Sequence, residues 1–221
     1  MKKGLFITIA VFCLVSIKVQ AQFSLGVKGG YTKAWEHYGD VDLPDDAVIH
    51  INRFNVSGLV YLSLNERLSI GVEPGYVERG AACIPGWNLE PDPIFNGDTK
   101  LFLSYVKAPI MLRTELPLGA SKFSIIGSAG YGLSYLTTAF EEQELVGSDE
   151  PTQRTKVDLS EGSRLNRLDH GFYGSAAIGY DLGRGRLFAE SEYYFGLRDA
   201  DQFNTSKNRT LSFNVGYLFK I

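Results

Sequence analysis

The chain has 221 residues, 44% hydrophobic and 13% aromatic, with 24 glycines and a formal charge of −3. That length suits one compact domain or one small barrel. The acidic balance argues against nucleic-acid binding, which needs a basic footprint.

Residues 1–21, MKKGLFITIAVFCLVSIKVQA, begin with Lys2 and Lys3, continue through an apolar run from Leu5 to Ile17 and end on Val19-Gln20-Ala21. This is the pattern of a secretory signal cleaved after Ala21, leaving 22–221 as the mature domain. An apolar run of about 13 residues is too short to span a bilayer. Cys13 lies inside that run rather than after small residues at its end, which disfavours a lipoprotein. Cleavage removes three lysines and no acid, so the mature chain is three units more negative than the −3 of the whole. Of the two cysteines only Cys83 then survives, and no intramolecular disulfide can form.

Beyond Gln22 no helical period is evident, but eight segments alternate with period 2: 23–31, 53–64, 67–79, 101–115, 122–136, 169–181, 186–197 and 209–221. Links two–three (Asn65-Glu66), four–five (Pro117 to Ser121) and six–seven (Leu182 to Gly185) are tight. The other four are polar, roughly ten to thirty residues long, and rich in Asp, Pro and Gly. Strict alternation of short and long links is the habit of outer-membrane barrels, which have short periplasmic turns, long extracellular loops and an even strand number. The predicted fold is therefore all-β: a closed, eight-stranded, antiparallel transmembrane β-barrel with both termini on the periplasmic side.

The two faces of these segments differ in chemistry. In the last, Leu211, Phe213, Val215, Tyr217, Phe219 and Ile221 oppose Thr210, Ser212, Asn214, Gly216 and Lys220. Lipid selects the apolar set for the outside, since a closed barrel satisfies its own backbone. With odd segments running outward, Tyr31, Phe54, Tyr76, Tyr135, Phe172 and Phe195 fall at the extracellular end. Phe23, Phe123, Tyr180, Tyr217 and Phe219 fall at the periplasmic end, giving two aromatic girdles. Pro74 and Pro109 lie inside candidate strands, where each removes a ladder bond, so a local bulge is expected at each.

The opposite face carries Lys28, Glu73, Lys107, Arg113, Glu190 and Glu192. Eight strands leave an interior just wide enough for side chains to fill, and charges there should meet opposite charges. Segments three and four are neighbours, so Glu73 with Lys107 or Arg113 is the expected pair. Lys28 with Glu190 or Glu192 needs a reach past segment eight. Such a network reads either as a solute pathway or as a packed polar core, and the core is the simpler reading.

The remaining motifs carry less. The glycines of 26–30 and 127–132 lack the strand-to-helix context of a phosphate loop and suit close packing in a narrow barrel. Glu36, Asp40, Asp42, Asp45 and Asp46 make the first loop acidic, as Glu141, Glu142, Glu144, Asp149 and Glu150 do the third. Asp40, Asp42 and Asp45 offer hard oxygen ligands for a divalent cation, but without a complete calcium-loop motif they read as solvated loops. Asn204-Thr205-Ser206 and Asn208-Arg209-Thr210 match a glycosylation sequon of little weight in a bacterial chain. His37, His50 and His170 lie in or beside long links. Asp169-His170 is the close acid–histidine pair, and no serine is placed as its nucleophile, so no enzyme and no cofactor is expected.

The stretches QFSLGVKGGYT, SYVKAPIMLRTELP, GFYGSAAIGYDLGRGRLFAESEYYFGLRD and RTLSFNVGYLFKI resemble the PorT-like, or porin-family, outer-membrane β-barrel proteins of Bacteroidota. The likeness covers nearly all of 22–221 except the long loops, and it implies fold and location rather than an activity. The expected role is a non-enzymatic outer-membrane protein, with membrane lipids and an unknown surface or envelope protein as partners of the barrel and its acidic loops. The alternatives are a narrow channel for small solutes or ions and a soluble lipocalin-like barrel with its faces inverted.

Overall fold

The computed structural model describes residues 22–38, 48–83, 97–145, 152–160, 162–202 and 205–221. The expected signal segment, and Asp40, Asp42, Asp45 and Asp46 of the first loop, lie outside the described residues.

The strands are β1 (Phe23–Tyr38), β2 (Ile51–Ser63), β3 (Leu68–Val72 and Gly75–Cys83), β4 (Gly97–Pro117), β5 (Phe123–Leu145), β6 (Leu168–Leu182), β7 (Gly185–Asp199) and β8 (Ser206–Lys220). Each pairs antiparallel with the next. β1 also pairs with β8, from Ser24 opposite Lys220 to Tyr38 opposite Ser206. Among the described residues the sheet thus closes as the expected ring of 8 strands. Val48–Ile49 adds to the β3 edge at Ala82 and Cys83, and Gln153–Lys156 adds to β5 along Phe140–Gln143.

Period-2 alternation turns directly into two surfaces. Outward, Val27, Ile110, Ile178 and Val215 are each about 60% exposed, which is intelligible only for a wall that faces hydrocarbon. Inward, polar and apolar side chains share the lumen. One apolar cluster joins Leu59, Tyr61, Met111, Ile126, Phe188 and Leu218. A second joins Val77, Leu103, Tyr105, Leu136 and Ala139 to Leu165 and Ala200 from the segments after β5 and β7.

The aromatic rings pair along the outer wall. Phe54 and Tyr76 lie 5.6 Å apart, and Tyr131 and Phe172 5.5 Å apart. At the other end Phe123 meets Tyr180 at 5.0 Å and Tyr217 meets Phe219 at 4.5 Å.

The prolines behave differently from expectation. Glu73-Pro74 interrupts β3, yet register is kept, because Val72 faces Ile110 and Gly75 faces Lys107. Pro109 stays within β4 opposite Gly132, and the register shift of that ladder falls at Ser104/Tyr105 instead. The Pro109 carbonyl accepts from Glu73 N–H at 3.0 Å, so Pro109 turns its missing donor toward the same interruption that holds Pro74. Pro74 turns the other way, its carbonyl accepting from Gly58 N–H of β2 at 2.8 Å, so each proline removes a donor from a different ladder and neither ladder shifts register there.

Several strands also run further than their apolar alternation. β4 begins at Gly97 and β5 continues to Leu145, so Glu141 and Glu142 belong to strand rather than loop. Glu36 likewise sits in β1 and is buried.

Candidate functional site

Polar side chains of the lumen are stacked in tiers, each built from inward positions of several strands. The central tier is organised by Lys28 on β1. Its Nζ lies 2.7 Å from Glu73 Oε2, 2.6 Å from Glu190 Oε2 and 2.6 Å from Glu192 Oε2. Lys107 Nζ reaches the other oxygen of Glu192 at 3.0 Å. Ser175 donates to Glu190 Oε1 at 2.9 Å, Asn214 donates to Glu190 Oε2 at 3.2 Å, and the Tyr61 hydroxyl donates to Glu73. Asn214 also accepts from Asn55, which donates in turn to Thr32. All six charged residues expected inside are buried.

Of the pairs named from the sequence, Lys28 with Glu190 and Glu192 is present, reaching past β8 to β7, whereas Glu73 meets Lys28 rather than Lys107 or Arg113. Strand adjacency is a poor guide here because side chains crossing a narrow barrel reach the far wall. Arg113 lies 3.4 Å from Glu115 and places its guanidinium 5.1 Å from the Phe188 ring and 5.4 Å from the Tyr61 ring.

Two further tiers were not anticipated. Toward the long loops, Arg79 donates to Asp169 Oδ2 at 2.7 Å, to Tyr173 OH at 3.0 Å and to Ser134 Oγ at 3.2 Å. Its guanidinium stacks 3.8 Å from the Tyr194 ring, and Asn208 donates to Asp169 at 3.1 Å. Toward the short turns, Arg186 pairs with Glu115 and, at 2.7 Å, with Asp181. Parity alone would have found these residues. Arg79 shares a face with Glu73, Glu115 with Arg113, and Arg186 with Glu190.

The adjacent acid–histidine pair is divided by the wall. Asp169 faces inward to Arg79, while His170 Nδ1 is 2.9 Å from the Tyr131 hydroxyl on the outside. Successive strand residues point to opposite faces, so the two do not form a dyad.

What this arrangement can do is hold the barrel shut. Arg79, Lys28, Tyr61, Tyr105, Tyr194 and Met111 are all at most 2% exposed, although they project into the lumen. Opposite charges are matched at contact distance, which is what makes burial of so many ions tolerable.

Comparison with known proteins agrees with this architecture. The family model described as outer membrane protein beta-barrel domain matches residues 16–202. Solved structures similar in fold include Neisserial surface protein A, with 14% identity over 90% of this chain and 97% of that one at a TM-score of 0.44. Another is OprG from Pseudomonas aeruginosa, with 11% identity over 93% and 99% of the two chains at a TM-score of 0.47. The N-terminal β-barrel domain of Pseudomonas aeruginosa OprF gives 12% identity over 90% and 100% at 0.39. No curated protein matches the chain.

Proposed function

This chain belongs to the outer membrane protein β-barrel domain family and is an integral outer-membrane protein; from that premise we propose that it is a non-enzymatic envelope component acting through its extracellular side rather than through its lumen. One observation carries this reading: the three-carboxylate, two-lysine tier around Lys28 crosses the lumen with each ion at contact distance from its partner. An ion passing this level must displace a matched pair in a water-poor interior, where removing one partner is strongly unfavourable. The PorT-like resemblance of the strands fits the same role, with surface or envelope proteins as partners of the long loops.

Planar-bilayer recording of the purified barrel tests the proposal. A filled lumen gives no discrete conductance steps above the bare bilayer. Steady ohmic channels that vanish on denaturation would overturn it in favour of a narrow solute path.

A further inference from the structure

The outer wall is not chemically uniform above its extracellular girdle. On β1 the outward positions past Tyr31 are Lys33, Trp35 and His37, and on β8 those past Leu211 are Arg209 and Lys207. The register sets Trp35 against Arg209 and His37 against Lys207. Trp35 meets His50 edge-on at 5.0 Å, and it lies 6.0 Å from Tyr193. Arg209 is held flat, its guanidinium 3.7 Å from the Phe195 ring, with Nη1 donating to the Gly196 carbonyl at 2.6 Å. The result is a patch of two half-buried lysines, two histidines and three aromatic rings across β7, β8, β1 and β2, laid over a third cation, Arg209, that is itself buried. The nearby acids are Asp199, 3.8 Å from Lys207, and Glu36, which is buried on the inward side.

On the opposite wall, the corresponding outward positions are Glu78 on β3, Ser104 on β4 and Thr137 on β5. The Tyr76 hydroxyl there donates to Glu78 at 3.0 Å and lies 2.9 Å from Ser104 Oγ, which can donate to it. Single arginines also sit on rings there, Arg167 4.7 Å from Tyr135 and Arg154 4.5 Å from Phe140, whereas the β8–β1 sector gathers Lys33, Lys207 and Arg209 around Trp35 just above the aromatic girdle. Aromatic side chains of this kind seat at the headgroup level of a bilayer, and basic residues beside them attract anionic headgroups.

We propose that the Lys33, Trp35, Lys207 and Arg209 sector of the outer wall is a selective binding site for the phosphate-bearing headgroup of a membrane lipid in the leaflet on the long-loop side. Charge complementarity selects the occupant. The acyl chains would lie along the exposed apolar wall below, over Tyr31, Phe213 and Tyr193, while Lys33 and Lys207 reach the phosphate. Arg209 positions the aromatic floor through its ring and carbonyl contacts.

Trp35 reports on this site directly. In a Trp87→Phe background it is the remaining tryptophan, since the chain has two. The protein is inserted into phosphatidylcholine vesicles that carry a minor fraction of either brominated phosphatidylglycerol or brominated phosphatidylcholine. The expected result is preferential quenching by the anionic lipid, corresponding to at least about five-fold enrichment beside Trp35. Lys33→Gln/Lys207→Gln should bring the two quenchers close to parity while heat stability and circular dichroism stay unchanged. Equal quenching in the parent, as expected if the patch serves a protein partner, overturns the proposal. So does an undiminished preference in the double variant. Inorganic phosphate added to the buffer should leave the preference intact, and its abolition would reassign the patch to a soluble anion.

Discussion

At Lys28 one nitrogen holds three carboxylates, two of them on β7 and one beside the break in β3. Its removal would leave Glu73 and Glu190 with neutral donors and Glu192 with Lys107 as its counter-ion. Lys28→Met should therefore cost about 3–5 kcal/mol, the range for uncompensating a buried ion pair, read as a large fall in unfolding temperature in detergent. Glu190→Gln leaves Lys28 two partners, so its loss should be less than half as great. Equal losses would show that the ammonium is not the hub. Gly80 makes a second residue-scale case, with φ of +129° and a would-be Cβ 1.9 Å from the Leu101 carbonyl oxygen. Gly80→Ala should destabilise by about 1–3 kcal/mol, as forced backbone strain does. Gly127→Ala, whose new methyl first meets Thr114 Cγ2 at 3.6 Å, should be nearly silent in the same melting experiment.

Among the elements, what could be read in advance followed from periodicity. Alternation of residues such as Leu211 to Ile221 against Thr210 to Gly216 identified strands and assigned their faces, because a wall between lipid and a packed lumen demands that separation. It failed where the outside is water. Beyond Leu136 on β5 and before Leu101 on β4 the strict apolar–polar alternation is lost, and the extended strands looked like loop. Glu36, Glu141 and Glu142 were misplaced for that reason. The prolines differ from expectation for another reason: Pro109 turns its missing donor to the β3 interruption and Pro74 turns its own toward β2, so each ladder loses one bond and keeps its register. The inward charges were visible by parity, and so was the reach of Lys28 past β8 to Glu190 and Glu192, but the partner of Glu73 was not, since strand adjacency points to β4 and the lumen gives it Lys28 of β1. Removing first the cation and then its anion from the Arg79 tier makes a test at this scale. Arg79→Met should strip Asp169 of its counter-ion, leaving it neutral donors such as Asn208, and lower the melting temperature, while Asp169→Asn/Arg79→Met should recover part of the loss, as neutral replacements of a buried pair can. No recovery would argue that the tier is held by ring stacking alone.

As a whole molecule the barrel has no lateral edge in its membrane band, because β1 is paired on both sides along its length. Backbone amides of the β1–β8 seam should exchange hydrogen as slowly as those of β6–β7, measured in detergent micelles. Fast exchange confined to the seam would mean that the ring opens there. The expected electrical silence of the lumen belongs to this scale too, since it depends on all tiers being in place together.

The Lys28 tier has a consequence for how the chain reaches the membrane. Glu73 lies well before β7 in sequence, and Lys28 contacts Glu190 and Glu192 from positions 162 and 164 residues away. No nascent hairpin can contain the cluster: Lys28 and Glu73 can meet within β1 to β3, but Glu190 and Glu192 arrive with β7 and are costly in hydrocarbon until they reach Lys28. Charge matching and seam closure therefore arrive as a single late event. Insertion of this barrel is thereby made a concerted step, in which the last strand delivered also removes the penalty that kept the earlier ones out.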